Sequence, residues 1–314
     1  MSQQPEPHNS GLPLSGNEIK RLGNRLRDGS TDTKDIDMLE RWRESYDPLL
    51  ISMSSQVDEI LGTNGFKFLI TGRSKRTKSI LRKLKRTENH GMDLSRMSDL
   101  VGFRIILPSV AEQNRALKLL GNTLDQKKPN DYRAGEKPYR AVHIVVRDGS
   151  RFVEIQLRTL PQHVWAVESE SLGEKVKEGT SPEFEKMQYL EVLSKACADL
   201  DCGKNVQENN YPESHLFAQR LPISSLHSRL VNQFFTATEH YQVAHAGKTF
   251  LVVFDSELRQ LMHNDEFAAE NRAEALERYR WLSHRLSDPM RFETLIFNSS
   301  SSEALAVTHP RFFT

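Results

Sequence analysis

The stretch Arg151–Thr159, RFVEIQLRT, decides how this chain is read. Successive side chains of a strand point to opposite sides, so Val153, Ile155 and Leu157 fall on one face and Glu154, Gln156 and Arg158 on the other. A half-buried strand hides its apolar face and gives the other to water, so an acid, an amide and a base in register are compatible with plain surface decoration. They are equally compatible with the wall of a site. The rest of the chain has to choose.

Three more segments rich in β-branched and aromatic residues, with turn residues at their ends, read as strands: FKFLITGR (66–73), VGFRIILP (101–108) and AVHIVVRD (141–148). Helical spacing runs between them, over SKRTKSILRKLKR (74–86) and SVAEQNRALKLLGNTL (109–124). Upstream, residues 16–29 read as a short amphipathic helix. Residues 35–62 place Ile36, Leu39, Trp42, Tyr46, Leu49, Leu50 and Met53 at helical spacing, with Gly62 and Gly65 marking the stop. The pattern predicts an α/β (α+β) chain, a mixed sheet flanked by helices.

Five parts are expected: a disordered leader over 1–15, rich in Gln, Pro, Asn, Ser and Gly; N-terminal helices over 16–62; a core over 63–180; a helical connection over 181–246; and a small α/β accessory module over 247–314. The last reads β-α-β-α: a strand KTFLVVFD (248–255), a helix across 266–286, a strand RFETLIFN (291–298) and a helical tail (299–314).

Forty-three Lys and Arg against 42 Asp and Glu leave a net charge of +1, which gives no global pull toward nucleic acid or membrane, so any charge signal is local. No apolar run approaches the roughly 18 residues of a membrane span, and a cytoplasmic location without membrane contact is expected. Cys197 and Cys202 match no zinc spacing and read as two reduced thiols.

The local signal lies in residues 73–86, where Arg73, Lys75, Arg76, Lys78, Arg82, Lys83, Lys85 and Arg86 stand with no acid. The run leaves a strand and opens a helix, where backbone N–H groups and the helix dipole favour an anion. A solvated basic face or a nonspecific nucleic-acid patch is the plainer alternative, and no P-loop signature occurs. Asp99 stands at the entrance of the second strand, from which Arg104 projects. Asp99 and Glu154, presented from separate strands of one sheet, form the kind of carboxylate pair that holds Mg²⁺ against substrate phosphates. On the loop and strand NDYRAGEKPYRAVHIVV (130–146), Lys137, Tyr139, Arg140 and His143 combine an aromatic ring with flanking cations, the chemistry that stacks a base while holding its phosphates.

Four segments in order, GRSKRTKSILRKL (72–84), SDLVGFRI (98–105), DY followed by KPYRAVH (131–143) and VEIQLRT followed by Trp165, resemble the RelA/SpoT-type alarmone synthetase domain of the nucleotidyltransferase superfamily, over about residues 45–178. The resemblance implies a nucleotidyltransferase-like fold and transfer of the β,γ-pyrophosphate of ATP to the ribose 3′-hydroxyl of GDP or GTP, giving (p)ppGpp and AMP. It implies that Asp99 and Glu154 hold Mg²⁺ and that one of them accepts the proton of the attacking hydroxyl. It further implies that Arg73 and Arg104 sandwich adenine, and that Lys75, Ser79 and Lys83 contact phosphates. Tyr139 would stack on the acceptor guanine, with Lys137, Arg140, His143, Gln156 and Arg158 around it. On this reading the polar row of RFVEIQLRT is the wall of an active site.

The chain departs from the family pattern in two places. Pro138 precedes Tyr139 where relatives carry Gly, in a shortened loop, and Ser169 and Glu170 stand where many small synthetases carry Glu-His. Lys175 and Lys177 are further phosphate candidates or a solvated face. No His-Asp hydrolase pair is present in sequence. Two alternatives stay open: a toxic relative that makes an adenosine alarmone or pyrophosphorylates the tRNA 3′ end, with residues 82–86 helping to hold RNA, and a noncatalytic nucleotide sensor using its C-terminal part to bind a partner. A homo-oligomer or a neutralising protein partner is compatible with any of these.

Overall fold

The computed structural model describes residues 14–29, 32–85, 92–172, 184–207, 210–211, 222–239, 247–286 and 291–313. Most of the expected leader, Arg86, Lys175 and Lys177 therefore lie outside the described residues.

Helix α1 (Gly16–Arg27) starts at Ser15, whose hydroxyl accepts from the Glu18 amide while the Glu18 carboxylate accepts from the Ser15 amide. The expected helical stretch over 35–62 is two helices, α2 (Thr33–Glu44) and α3 (Asp47–Thr63), parted at Ser45 and Tyr46. Pro48 explains the break: it lacks an N–H and is tolerated only in the first turn, where α3 places it. Strand β1 (Leu69–Ser74) follows, then α4 (Thr77–Lys85), β2 (Val101–Leu107) and α5 (Val110–Thr123), which is capped by Ser109. A two-residue β3 (Asn130–Asp131) precedes β4 (Val142–Asp148) and β5 (Arg151–Thr159). Helices α6 (Leu160–Leu172), α7 (Phe184–Asp201) and α8 (Ile223–Glu239) come next.

The C-terminal part differs from its expectation. After β6 (Lys248–Asp255) the chain turns through Arg259, at φ 54°, into a further strand β7 (Gln260–Phe267), so the helix α9 begins only at Arg272 and runs to Arg285. Strand β8 (Phe292–Ser299) and α10 (Ser302–Thr308) complete the chain as β-β-α-β-α. Strand β7 is an edge strand with one face to water, and its run of His, Asn, Asp and Glu hides the alternation that marks a strand.

The eight strands form one sheet in the order β3-β4-β5-β2-β1-β8-β6-β7. The pair β2–β5 is parallel and the other pairs are antiparallel. The residues expected to form an accessory module thus extend the core sheet, because β8 pairs directly with β1, with Arg73 opposite Phe297 and Thr71 opposite Ser299. One face of the sheet carries Phe103, Ile105, Val153, Ile155 and Leu157, packed under α1 to α5. The opposite face carries Leu69 and Ile106 under α6, α7, α8 and α10. On that second face Glu154, Arg104 and Arg73 line a cavity.

Candidate active site

Strand alternation puts Glu154, Gln156 and Arg158 of β5, Gly102 and Arg104 of β2, and Thr71 and Arg73 of β1 on one face, and all of them line a single cavity of about 580 Å³. The basic run arrives from the side. Arg73 lies in β1 itself and α4 starts only at Thr77, so Lys75 and Arg76 sit in the turn, while Lys78, Ser79 and Arg82 face the cavity from α4. Asp99 enters just ahead of β2.

Lys75 and Lys83 both donate to Asp99 Oδ2, at 2.7 and 2.8 Å. Asp99 Oδ1 is buried and has no hydrogen-bond partner among the described residues. Burial pushes this carboxyl up, but the two ammonium groups outweigh it and hold the group below the usual carboxylate range. Glu154 balances in the same way: burial raises it, and hydrogen bonds from His143 (3.1 Å) and Gln156 (2.8 Å) bring it below its ordinary value against the nearby charge of Asp99. Both acids are therefore ionised at neutral pH and within electrostatic reach of each other. Among the described residues no group of three or more His, Cys, Asp or Glu converges as a metal site. A hard cation that keeps most of its ligands as water and phosphate needs only one or two carboxylates, and the unpartnered Oδ1 of Asp99 fits that use.

A glutamate carboxylate can only accept, so His143 donates to Glu154 through Nδ1–H, and its Nε2 is hydrogen-bonded with the Tyr139 hydroxyl at 2.6 Å. Arg158 Nη2 also donates to the Tyr139 oxygen and to Gln156 Oε1, at 3.2 and 2.9 Å. Tyr139 is fixed further by edge contacts with Trp165 and Tyr132. It braces the carboxylate end of the cavity from behind and is absent from the wall.

Arg104 donates through Nη2 to Glu170 at 3.0 Å and through Nη1 to the carbonyl of Thr308 at 2.6 Å. Burial, with Arg158 close by, lowers Arg104 to about 10, and burial, with Arg76 close by, lowers Arg73 to about 10. Both still carry charge at neutral pH, which makes this part of the cavity an anion-seeking surface.

Of the residues singled out in sequence, Arg73, Lys75, Ser79, Asp99, Arg104, Glu154, Gln156 and Arg158 meet in the wall, and Lys83 joins them through Asp99. Tyr139 and His143 stand one contact behind. Lys137 is exposed on its loop, and Arg140 is turned away, donating to Ser194 Oγ and to the carbonyl of Arg133. Arg76 of the basic run also lines the wall, and sequence reasoning missed Glu293, His309 and Arg311 there. Glu293 accepts from Arg76, from Arg311 and from Ser256. One signal was available: alternation puts Glu293 on the same face of β8 as Leu295 and Phe297, and an acid on a core face calls for a partner. His309 and Arg311 had no local signal, since only the pairing of β8 with β1 brings them in.

Residues 72–178 match the family model described as the region found in RelA / SpoT proteins. That stretch of the chain resembles the RelA/SpoT region. Its wall residues from Arg73 to Glu170 fall inside that region, and Glu293, His309 and Arg311 fall beyond it. An uncharacterized protein of Mycobacterium tuberculosis is 30% identical over 164 residues, which cover 49% of this chain and 57% of that protein. The GTP pyrophosphokinase rsh of Brucella melitensis is 31% identical over 154 residues, covering 48% of this chain and 20% of that protein. The chain thus matches about half of the length of the first and a fifth of the second. Among solved structures, small alarmone synthetase 1 from Bacillus subtilis bound to its product pppGpp is 29% identical, with a TM-score of 0.46, covering 53% of this chain and 94% of that one. Outside the RelA/SpoT region, no helix of the described residues is long and apolar enough to cross a membrane, and neither is any inside it.

Proposed function

We propose that the chain transfers the β,γ-pyrophosphate of ATP to the 3′-hydroxyl of a guanosine nucleotide, GDP or GTP, releasing AMP and (p)ppGpp. The observation that carries this reading is the meeting, in one cavity, of two ionised carboxylates with an excess of cations: Arg73, Lys75, Arg76, Arg104 and Arg158. Phosphoryl transfer asks little covalent chemistry of a protein. The barrier falls by positioning and by offsetting charge on the phosphates, and this wall supplies both.

In the reaction the acceptor 3′-oxygen bonds to the β-phosphorus of ATP, the bond from that phosphorus to the α,β-bridging oxygen breaks, and AMP leaves. The hydroxyl proton passes to a carboxylate, for which Glu154 is the candidate because His143 and Gln156 hold it ionised and oriented. Asp99 and Glu154 would hold Mg²⁺, which supplies charge neutralisation at the phosphates when bound. Lys75, Ser79 and Lys83 would contact the phosphates. Arg104 and Arg73, which both line the cavity, would sandwich the adenine. Tyr139 acts by locking His143 and Arg158, and Gln156 and Arg158 serve the acceptor side.

The test incubates purified protein with Mg²⁺ and ATP labelled at the β,γ-phosphates, together with GDP, GTP, ADP or deacylated tRNA in separate reactions. Label moving onto GDP or GTP with equal release of AMP is the expected result. Label on tRNA or ADP alone would replace the acceptor, and no AMP release with any acceptor would refute the reaction.

A further inference from the structure

His309 lies in the cavity wall with 4% of its surface exposed, beyond the end of the matched RelA/SpoT region. Its tautomer can be deduced from its neighbour. The Thr308 hydroxyl faces two helix carbonyls that can only accept, those of Ala304 at 2.8 Å and Leu305 at 3.2 Å, the usual place for the proton of a helical threonine. Two other groups face the same oxygen, Thr71 Oγ1 at 2.8 Å and His309 Nδ1 at 3.1 Å. With its proton on a helix carbonyl, Thr308 Oγ1 accepts from Thr71 and from His309 Nδ1–H.

Burial, with the charges of Arg104 and Arg73 adding to it, holds the imidazole well below its ordinary value, so the ring is neutral at neutral pH. A neutral imidazole with its proton on Nδ1 carries a lone pair on Nε2. The ring is fixed against Phe297, with centroids 4.7 Å apart, and among the described residues no donor meets Nε2. A buried ring fixed by a threonine, with an unanswered acceptor in a nucleotide-sized cavity and within the field of the two arginines assigned to the base, has the form of a base-reading group.

We propose that His309 Nε2 accepts a hydrogen bond from the exocyclic 6-amino group of the donor nucleotide, so that the C-terminal part of the chain selects ATP over GTP as donor. This rests on the proposed reaction with ATP as donor. Adenine offers N–H at C6, where guanine offers a carbonyl oxygen, so a guanine in the same pose would set two acceptors against each other. Discrimination then comes from a residue outside the RelA/SpoT region, carried to the site because β8 pairs with β1.

The test measures equilibrium binding of non-hydrolysable ATP, GTP and purine riboside triphosphate analogues to the full chain with its acceptor site saturated by GDP, the last analogue lacking the 6-amino group. Wild type is expected to bind the ATP analogue about tenfold or more tightly than either of the others, the effect of one good hydrogen bond against its loss. His309→Leu is expected to lose that preference by weakening the ATP analogue alone. His309→Gln, whose amide oxygen can take the place of Nε2, is expected to restore part of it. Equal affinity of wild type for the ATP and purine riboside analogues overturns the proposal without any variant. An unchanged preference in a folded His309→Leu overturns it as well. Both results leave the proposed reaction standing, whereas wild type binding none of the analogues would sink the reaction and this inference together.

Discussion

Arg104 Nη1 donates to the backbone carbonyl of Thr308 at 2.6 Å, joining the second strand of the RelA/SpoT region to the end of α10 across 204 residues of chain. Thr71 of β1 reaches the same residue through its side chain. The C-terminal part is thereby tied into both the sheet and the cation cluster. Removing residues 301–314 should destabilise the whole sheet, since Leu305, Val307 and Phe312 are each buried and each is worth about 1.5–3 kcal/mol. A thermal melt followed by circular dichroism checks this. A truncated chain that melts at the wild-type temperature would show that the RelA/SpoT region stands alone.

Glu293 links the two basic groups Arg76 and Arg311, and its acid response follows from them. Burial raises the carboxyl, the two guanidinium groups lower it further, and the net folded value lies below the ordinary 4.5. A depressed folded value gives stability that is full above the unfolded value and is lost as pH falls through the folded one. Wild type should therefore lose stability below about pH 4.5 in part through Glu293. Glu293→Gln should be less stable at neutral pH and show a shallower loss in acid. Denaturant midpoints measured from pH 7 to pH 3 for both proteins test it, and parallel curves would exclude Glu293 from the acid response.

Asp99→Asn and Glu154→Gln keep side-chain volume and remove charge. On the proposed reaction each should lower turnover by about a hundredfold or more, because each withdraws an ionised oxygen ligand and, at Glu154, the proton acceptor. The two should differ in another readout. Asp99→Asn leaves Lys75 and Lys83 without their shared counter-charge, so nucleotide affinity should become more sensitive to salt, whereas Glu154→Gln should leave that dependence near wild type. AMP release and analogue binding across a salt series separate them. Undiminished AMP release by either variant would contradict its assignment.

The carboxylate end of this site was legible in sequence because its signals are local. Glu154, Gln156 and Arg158 fall in period two against Val153, Ile155 and Leu157, and the acid-free basic run stands out in a chain of balanced charge. Arg140 shows the limit of that reading: it carries the right charge beside the right tyrosine, yet its guanidinium is used by Ser194, 54 residues away. The far wall was not legible for a topological reason. His309 and Arg311 reach the cavity only through the antiparallel pairing of β8 with β1, and nothing within ten residues of either encodes that pairing. Strand β7 was hidden because an edge strand needs only one apolar face and here shows mostly acids and amides.

Gly102 is the position where strand pairing and site geometry depend on one missing atom. In the parallel pair it stands opposite Glu154, and a Cβ placed on it would meet the Glu154 carbonyl oxygen at 2.5 Å and the Glu154 Cβ at 3.3 Å. The obstruction is backbone, so it cannot be relieved by a rotamer change: β2 and β5 would have to separate locally. Gly102→Ala should cost about 1–3 kcal/mol of stability, the ordinary range for overpacking. Its effect on turnover should be larger than the stability loss implies, because the shift displaces Glu154 relative to Asp99, both of which border the cavity. Gly72→Ala, one strand over, provides the control: its Cβ would meet the end of the Leu50 side chain at 3.1 Å, which can give way. Melting temperature and AMP release measured on both variants decide the matter. Equal loss of activity in the two, at equal stability, would mean that the close approach of Gly102 to Glu154 has no special part in aligning the acids.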